Sequence, residues 1–386
     1  MFGKRVKLFT LLGFKVYIDL SWIIIAVLIV WSLSRGVFPV LYEGFSSSVY
    51  WWMGVWGAVG LFASVIFHEL SHSLVARRFG LPMKSITLFV FGGVAEMDEE
   101  PATAKAEFFM AIAGPLASVV IALFFWGIFE AGIALAIPLP ALILFAYLRT
   151  INFVLAVFNM IPAFPLDGGR VFRSILWSWK GNIKWATRVA SAIGAGFGMF
   201  LIVLGIFSLI AAGVVGGLWW ALIGMFIRSA SKMSYQGVLV RGALEGQRVS
   251  KFTQHSPITV PADTTLDLLI DNYIYRHHLN IYPVINNGTV KCIDINDVKN
   301  IPEQQRKAHR VDEYAKTCSQ DNSVSQDESA FKAFTTMSKN GKSRLIVLDQ
   351  NGHLLGTISQ RDLVSYISSV INSEDTEALS TPPHRE

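Results

Sequence analysis

The chain has 386 residues, of which 52% are hydrophobic, and its mean hydropathy is +0.45. Soluble globular proteins are more polar than this, so the composition excludes an ordinary water-soluble enzyme along the whole chain. The net charge is +7 over residues 1–237 and −2 over residues 238–386. We therefore predict a transmembrane domain, 1–237, followed by a soluble domain, 238–371, with no nucleic-acid partner.

The N-terminal residues MFGKRVKLFTLLGFK are basic but lack a short apolar core with a cleavage site, which predicts a retained cytoplasmic flank. About six apolar stretches follow that approach the roughly 20 residues needed to cross a bilayer. They are residues 16–33, 51–76, 108–137, 142–161, 190–212 and 214–227. The connections rich in Lys and Arg precede the first stretch and follow the second, fourth and sixth. With six spans, the positive-inside rule predicts that both termini are in the cytoplasm. We expect a multi-pass protein of the cell membrane of a prokaryote.

The second apolar stretch contains the segment HELSH, which places His68 and His72 four residues apart on one helix face. This spacing suits tetrahedral zinc, and Glu69 beside them can act as a general base on a water. Ligand chemistry favours zinc over iron or cobalt. The alternative is that the HExxH pattern occurs here by chance. Against this, His68 and His72 are the only histidines in the first 254 residues, and unpaired polar groups are costly within a span.

A third zinc ligand from the membrane domain has to be a carboxylate, since residues 1–237 contain no other His and no Cys. Other acidic residues near the span ends fit interfacial roles: Asp19, Glu43, Glu107 and Glu130. Asp167 differs, because it follows the fourth stretch in NMIPAFPLDGGR, where two prolines end the helix and two glycines permit a tight turn. A broken backbone at membrane depth is tolerated only where it is buried in protein or lines a cavity. Asp167 is therefore favoured as the ligand, and a plain helix-terminal loop is the alternative.

From about Gly237 the pattern changes to short apolar strands and amphipathic helices. A unit of helix, strand, turn, strand and helix occurs twice, at about residues 250–299 and 316–369. Cys292 and Cys318 lie in this part, and two isolated thiols suggest a reducing, cytoplasmic location with no disulfide framework. Residues 372–386 are predicted to form a disordered tail.

These motifs resemble the site-2 protease family of intramembrane zinc metalloproteases (peptidase family M50), in the subgroup with C-terminal tandem CBS domains. HELSH matches the family's HExxH, PLDGG matches its second motif with Asp167 in the ligand position, and FGGVAEM and AGPLAS match its loop and third span. The usual Asn directly before Pro165 is missing, whereas Asn159, eight residues before Asp167, fits the family pattern. The resemblance implies a polytopic α-helical membrane protein of about six transmembrane helices with a re-entrant β-hairpin, plus a cytoplasmic α/β tandem CBS domain.

The resemblance also implies hydrolysis of a peptide bond within or near a transmembrane segment of a membrane-tethered protein. The substrate would be a single-span membrane protein such as a transcription factor precursor or an anti-sigma factor. Asn159 would donate to the developing oxyanion or hold the peptide, and a structural bond to a span carbonyl is the alternative. An extended substrate would pair with the hairpin, for which an ordinary loop is the alternative. The hairpin residues expected to contact substrate are Val90, Phe91, Gly92 and Gly93.

In the second repeat, LLGTISQRDL matches the segment in which CBS modules hold the ribose and phosphates of a nucleotide. The candidate contacts for ATP, ADP or AMP are Thr357, Ser359 and Asp362. The first repeat keeps Asp297 but has Lys291 and Asp294 at other key positions, and an added carboxylate repels phosphate. Its site is expected to be empty or altered. The alternative to nucleotide sensing is that the CBS pair serves only to form a homodimer of the protein or to dock the substrate.

Two other function classes remain open at this point. One is a transporter or channel with a regulatory CBS pair, in which His68, Glu69 and His72 line an ion path. The other is a zinc-binding membrane sensor without proteolytic activity. Chelator-sensitive cleavage of a single-span protein distinguishes both from the protease.

Overall fold

The structure of the protein, a computed structural model, describes residues 5–81, 83–89, 92–97, 101–212, 216–286 and 289–380. The chain divides into two compact units, Met1–Tyr235 and Gln236–Glu386. The first unit contains long apolar helices, and the second contains short strands and helices.

Helices form most of the first unit, because a helix satisfies its own backbone groups where no water is present. They are α1 (Leu20–Ser32), α2 (Phe38–Leu41), α3 (Ser47–Arg78), α4 (Ala104–Ala134), α5 (Leu139–Asn159), α6 (Asp167–Lys180), α7 (Ile183–Ala212) and α8 (Gly217–Leu244). A π-helical segment, Leu33–Val37, joins α1 to α2. Helix α6 is short and amphipathic, and it ends at Gly181, whose φ of 66° gives the left-handed cap that commonly closes helices.

Five helical segments among the described residues are long and apolar enough to cross a membrane: Leu20–Leu41, Ser47–Arg78, Ala104–Ala134, Leu139–Asn159 and Ile183–Ala211. The predicted class, a polytopic α-helical membrane protein, is confirmed. The described part of the sixth predicted stretch forms the first half of α8, which is not among the five. This helix continues without a break into a segment that contains Arg228, Lys232 and Arg241.

The first predicted stretch began too early, because residues 16–19 belong to a strand. Asp19 ends this strand and caps helix α1, accepting a hydrogen bond from the Ser21 amide at 3.0 Å. An N-terminal cap of this kind fixes the start of a helix, so the apolar run contains two elements.

A four-stranded sheet, in the order β1 (Arg5–Leu11), β2 (Phe14–Asp19), β3 (Met83–Phe89) and β4 (Gly92–Met97), also belongs to the first unit. β2 pairs with β3 in parallel, and the other two pairs are antiparallel. The N-terminal flank thus supplies two strands that the sequence analysis did not foresee. β3 and β4 form a hairpin where the family resemblance implied one. Among the described residues β4 pairs only with β3, so it is an edge strand.

The second unit contains two small mixed sheets. The first has the order β5 (Val260–Pro261), β6 (Ile281–Asn286), β7 (Thr289–Asp294) and β8 (Lys316–Thr317), and the second has the order β11 (Leu354–Ser359), β10 (Arg344–Leu348) and β9 (Ser323–Ser325). Its helices are α9 (Leu266–Leu269), α10 (Tyr275–His277), α11 (Ile295–Lys299), α12 (Glu303–Arg306), α13 (Val311–Tyr314), α14 (Ala330–Asn340) and α15 (Gln360–Ser380). Each sheet has its own apolar core, because the alternating side chains of its strands face inward.

Two expectations for this unit were wrong. Cys292 and Cys318 form a disulfide, which joins strand β7 to the segment after β8. The two cysteines also pack with Ile281 and Ile346 in a small cluster that contains residues of both sheets. Helix α15 extends through Ser380, so residues 372–380 of the predicted disordered tail are helical. The charged and small residues of this segment were interpreted as a sign of disorder, although they are part of the helix.

Candidate metal centre

The structure brings His68, His72 and Asp167 together. The two histidines lie one turn apart on α3, and Asp167 is the first residue of α6. The Nε2 atoms of His68 and His72 are 3.1 Å apart, and Asp167 Oδ2 lies 3.1 Å from the first and 3.3 Å from the second. One ligand atom from each residue lies within 4.8 Å of the others, so the three residues could hold a metal ion.

The spacing of these atoms fits a tetrahedral zinc site. Metal–ligand distances of about 2.0–2.1 Å put neighbouring ligands of a tetrahedron roughly 3.3 Å apart. His72 Nδ1 donates to the Met110 carbonyl at 2.6 Å, so in the neutral ring Nε2 carries a lone pair. That lone pair points at other electron-rich atoms, His68 Nε2 and an Asp167 oxygen, an arrangement that a cation between them relieves.

Helix α4 supports both imidazoles from behind. Besides the Met110 carbonyl, it supplies Ser118, whose Oγ lies 2.9 Å from His68 Nδ1. Such bonds to the second ring nitrogen orient a histidine toward a metal. Gly114 allows this close approach, since a Cβ at this position would lie 2.6 Å from His68 Nε2 and closer still to His72 Nε2. Sequence analysis matched AGPLAS to the family but did not assign Gly114 and Ser118 to the metal centre.

The loop between α5 and α6 places Asp167. Helix α5 ends at Asn159, and α6 begins after the N-cap residue Leu166. The loop folds back against the start of α6, where a Cβ at Gly168 would lie 2.6 Å from the Ile161 carbonyl oxygen. Asp167 thus lies in the first turn of a helix, where the helix dipole favours a negative charge. Burial raises the pKa of its carboxyl group, but the two imidazoles lower it by more, so the group stays ionised, as a ligand must be.

Comparison with known proteins assigns the chain to a family. A profile described as Peptidase family M50 matches residues 56–139 and 134–205, and a CBS domain profile matches residues 317–369. The chain is 31% identical over 373 residues to the provisionally named zinc metalloprotease sll0528 of Synechocystis sp., covering 95% of this chain and 96% of that protein. The chain belongs to peptidase family M50.

Other similar proteins in the family carry related names. The provisionally named zinc metalloprotease Rip3 of Mycobacterium tuberculosis is 30% identical over 376 residues, with 96% of this chain and 95% of that protein covered. Among solved structures, the site-2 protease from Methanocaldococcus jannaschii aligns with a TM-score of 0.41 and 28% identity, over 60% of this chain and 94% of that chain. As a member of peptidase family M50 the chain is a zinc metalloprotease, and it carries a C-terminal CBS domain. The predicted family and enzyme class are confirmed.

Two further predicted residues of this M50 protein lie close to the three candidate ligands in sequence. Glu69 lies between the two histidines, is half-buried, and makes no side-chain hydrogen bond within the described part of the chain. Asn159 donates from Nδ2 to the Leu155 carbonyl at 3.0 Å, which is the structural bond considered as the alternative to a catalytic role.

The predicted substrate-contacting residues divide between described and undescribed positions. Gly92 and Gly93 begin the edge strand β4 and pair with Phe89 and Leu88. Val90 and Phe91 lie outside the described residues.

In the CBS unit, a cavity of about 820 Å³ lies beside two of the three predicted nucleotide contacts. Ser359 and Asp362 line it, with the Ser359 hydroxyl donating to Asp362 Oδ2 at 2.7 Å. Thr357 does not line the cavity; it is buried and accepts a hydrogen bond from Arg344 at 2.9 Å. Sequence analysis missed the basic lining of the cavity. His277, His278 and Arg344 contribute to it from outside the LLGTISQRDL segment, and Arg361 contributes from within that segment.

In the first repeat, the residues at the corresponding positions form ion pairs with other residues of the same unit. Lys291 pairs with Asp312 at 2.7 Å, and Asp297 pairs with Lys316. Asp294 caps helix α11 through the Asn296 amide at 2.9 Å and lies 3.6 Å from Lys342. That the site of the first repeat is empty or altered stays a prediction.

Proposed function

We propose that this M50 metalloprotease cleaves a single-span membrane protein within or near its transmembrane segment. The observation that carries the proposal is the cluster of His68, His72 and Asp167, two of whose members lie in a helix of membrane-spanning type. His68 is ten residues, or about 15 Å of helix, from the end of α3. A site at that depth meets peptide bonds that are buried in the bilayer or lie near its surface.

The three clustered residues are proposed as the zinc ligands, and Glu69 as the general base. Zinc, when bound, polarises the scissile carbonyl and acidifies a water. Glu69 removes a proton from the attacking water and then delivers it to the leaving amine. Asn159 lies at the end of α5 and contributes by holding the peptide, provided its bond to Leu155 opens.

Edge strand β4 is proposed to bind the substrate. A transmembrane helix hides its carbonyls in hydrogen bonds and has to be unwound before cleavage, and an edge strand offers free backbone partners to an extended chain. We expect Val90→Pro or Phe91→Asp to reduce cleavage while zinc remains bound. Unchanged cleavage in both variants would exclude the hairpin from substrate binding.

The experiment that tests the proposed activity is co-expression with candidate single-span proteins, followed by cleavage in purified membranes with and without a zinc chelator. Chelator-sensitive cleavage that returns on addition of Zn²⁺ supports the protease. Ion flux into proteoliposomes without cleavage would support a transporter or channel. Zinc binding without cleavage of any candidate would support a sensor.

We also propose that an adenine nucleotide binds in the CBS cavity and regulates access to the protease site. The cavity combines a carboxylate, Asp362, with cationic groups such as Arg344 and Arg361, which suits a ribose and its phosphates. Titration of ATP, ADP and AMP onto the full-length protein tests this. Arg361→Ala should weaken the affinity about tenfold, since it removes a charged donor, whereas Lys332→Ala on α14 should not. Absence of binding by all three nucleotides would refute the proposal.

Both termini are proposed to be cytoplasmic, with α8 as a sixth span that extends beyond its apolar first half. Helices α7 and α8 pack closely through glycines, as membrane helices often do. A Cβ at Gly198 would lie 2.6 Å from the Gly224 carbonyl oxygen, and one at Gly205 would lie 2.6 Å from the Ala221 amide nitrogen. The 28 residues of α8 extend about 42 Å, enough to cross the hydrocarbon core. The disulfide removes the argument from free thiols, so this topology now rests on the positive residues and on the packing of α8.

A further inference from the structure

A buried ion pair connects α4 and α6, the two helices that contribute Met110, Ser118 and Asp167 to the candidate metal centre. Glu107, in the first turn of α4, is fully buried, and Arg173 of α6 is 2% exposed. Arg173 Nε donates to Glu107 Oε1 at 2.7 Å, and its Nη2 donates to the same oxygen. The Glu107–Arg173 pair thus connects the two helices through one carboxylate oxygen.

The remaining contacts of Arg173 extend to other elements. Its Nη1 donates to Thr187 Oγ1 of α7 at 3.4 Å, and its guanidinium lies 5.0 Å from the centre of the Phe164 ring. Phe164 belongs to the loop before α6, and its carbonyl accepts a hydrogen bond from Ser231 of α8. One side chain therefore contacts α4, α7 and the loop that leads to Asp167.

The position of the pair links the two halves of the metal centre. Glu107 precedes Met110, whose carbonyl orients His72, by one turn of α4. Arg173 follows Asp167 by six residues on α6. The pair therefore fixes the helix that carries the carboxylate against the helix that orients the imidazoles.

Stability alone does not explain such a pair. Removing two charges from water costs more than their attraction commonly returns, and apolar residues of similar size often replace such pairs without loss of stability. Arg170, one turn after Asp167, lies with its Nε 3.8 Å from the same Glu107 oxygen. Cationic groups from two successive turns of α6 thus converge on one carboxylate of α4, which fixes the axial position of α6.

We propose that Glu107 and Arg173 are positioning residues, which keep Asp167 at ligand distance from the two imidazoles without contacting the metal or the substrate. This inference rests on the proposed ligand role of Asp167. A positioning role and a general structural role predict different results for one kind of variant. A variant that restores a well-packed contact between α4 and α6 without the ion pair should fold normally but bind zinc less tightly.

The test measures Zn²⁺ affinity of the purified full-length protein by competition with a chelating dye, and thermal unfolding of the metal-free protein. We expect Glu107→Gln and Arg173→Met each to lower zinc affinity by tenfold or more, the size of effect seen for groups that orient metal ligands. The double variant Glu107→Leu/Arg173→Leu should unfold at the wild-type temperature or above, yet still bind zinc at least tenfold more weakly. Its Co²⁺ complex should also differ in absorption spectrum, because the ligand geometry has changed.

A control in the same unit is Asn152→Leu. Asn152 is buried and donates to Ser64 Oγ at 2.9 Å and to the Leu148 carbonyl at 2.8 Å, so its hydrogen bonds link α5 to α3. This variant should keep zinc affinity within twofold of the wild type.

Two results are distinguishable as failures. A double variant with wild-type unfolding temperature, zinc affinity and Co²⁺ spectrum would overturn the positioning role. If Asp167→Asn, measured in parallel, binds zinc as tightly as the wild type, the ligand assignment itself is wrong, and this inference fails with it.

Discussion

At the scale of single residues, the metal centre depends on two imidazoles whose Nδ1 atoms each have a polar partner on α4. His72 is fixed by the Met110 carbonyl, and His68 contacts Ser118, so the remaining nitrogen of each ring faces Asp167. The residue that permits this arrangement has no side chain, because Gly114 leaves the space that both imidazoles occupy. The glycine is therefore as necessary to the geometry as the three candidate ligands.

Substitution of Gly114 should damage the metal centre selectively. The added methyl group of Gly114→Ala would overlap both Nε2 atoms, so we predict at least a tenfold loss of zinc affinity, measured by dye competition. Gly127→Ala on the same helix is the matched control, since a Cβ there meets no atom within 4 Å. Equal zinc affinity in the two variants would contradict the described packing of α4 against the imidazoles.

The candidate ligands were accessible from the sequence, whereas their supporting residues were not. HExxH has a fixed spacing on a helix, and the lack of other His and Cys residues in the membrane domain left only carboxylates as the third ligand. Glu107 was interpreted as an interfacial residue, yet it is fully buried. Its partner Arg173 is 66 residues away in the sequence. The spacing of residues along the chain does not predict a contact between positions so far apart.

At the scale of elements, apolar runs identified the helices but not the strands beside them. Val16 and Ile18 of strand β2 precede the apolar residues of α1 closely, and the Asp19 cap marks the boundary between the two elements. The pairing of β2 with β3 joins residues about 70 positions apart. The periodicity of apolar residues within one segment does not show which distant segment it pairs with. The N-terminal strands could therefore not be predicted.

The disulfide of the second unit gives a prediction at this scale. It closes a separation of 26 residues, for which the loss of chain entropy in the unfolded state corresponds to about 3.5 kcal/mol. Cys292→Ser should therefore lower the denaturant midpoint of this unit, and thiol titration of the unfolded, unreduced wild type should detect no free thiol. Two free thiols per chain in that titration would show that the cysteines are reduced, as the sequence analysis expected.

At the scale of the whole molecule, the chain combines a membrane protease with a C-terminal CBS domain. Composition and charge predicted the division between a membrane part and a second part, because the density of apolar residues changes along the chain. The number of spans was harder to predict, since α8 is apolar in its first half and charged in its second.

The proposed topology predicts the accessibility of the C-terminus. A C-terminal epitope tag should be removed by protease in inverted membrane vesicles and protected in spheroplasts. Removal in spheroplasts would contradict the proposed topology and would indicate that only the five apolar helices cross the membrane.

The most direct test of the account compares wild type and Glu69→Gln for zinc content and for cleavage of a co-expressed single-span substrate. We predict that Glu69→Gln retains one zinc per chain, because the three candidate ligands are unchanged. We also predict that its cleavage rate falls by roughly 10²–10⁴-fold, since the general base is missing. Cleavage at the wild-type rate by this variant would contradict the proposed catalytic role of Glu69.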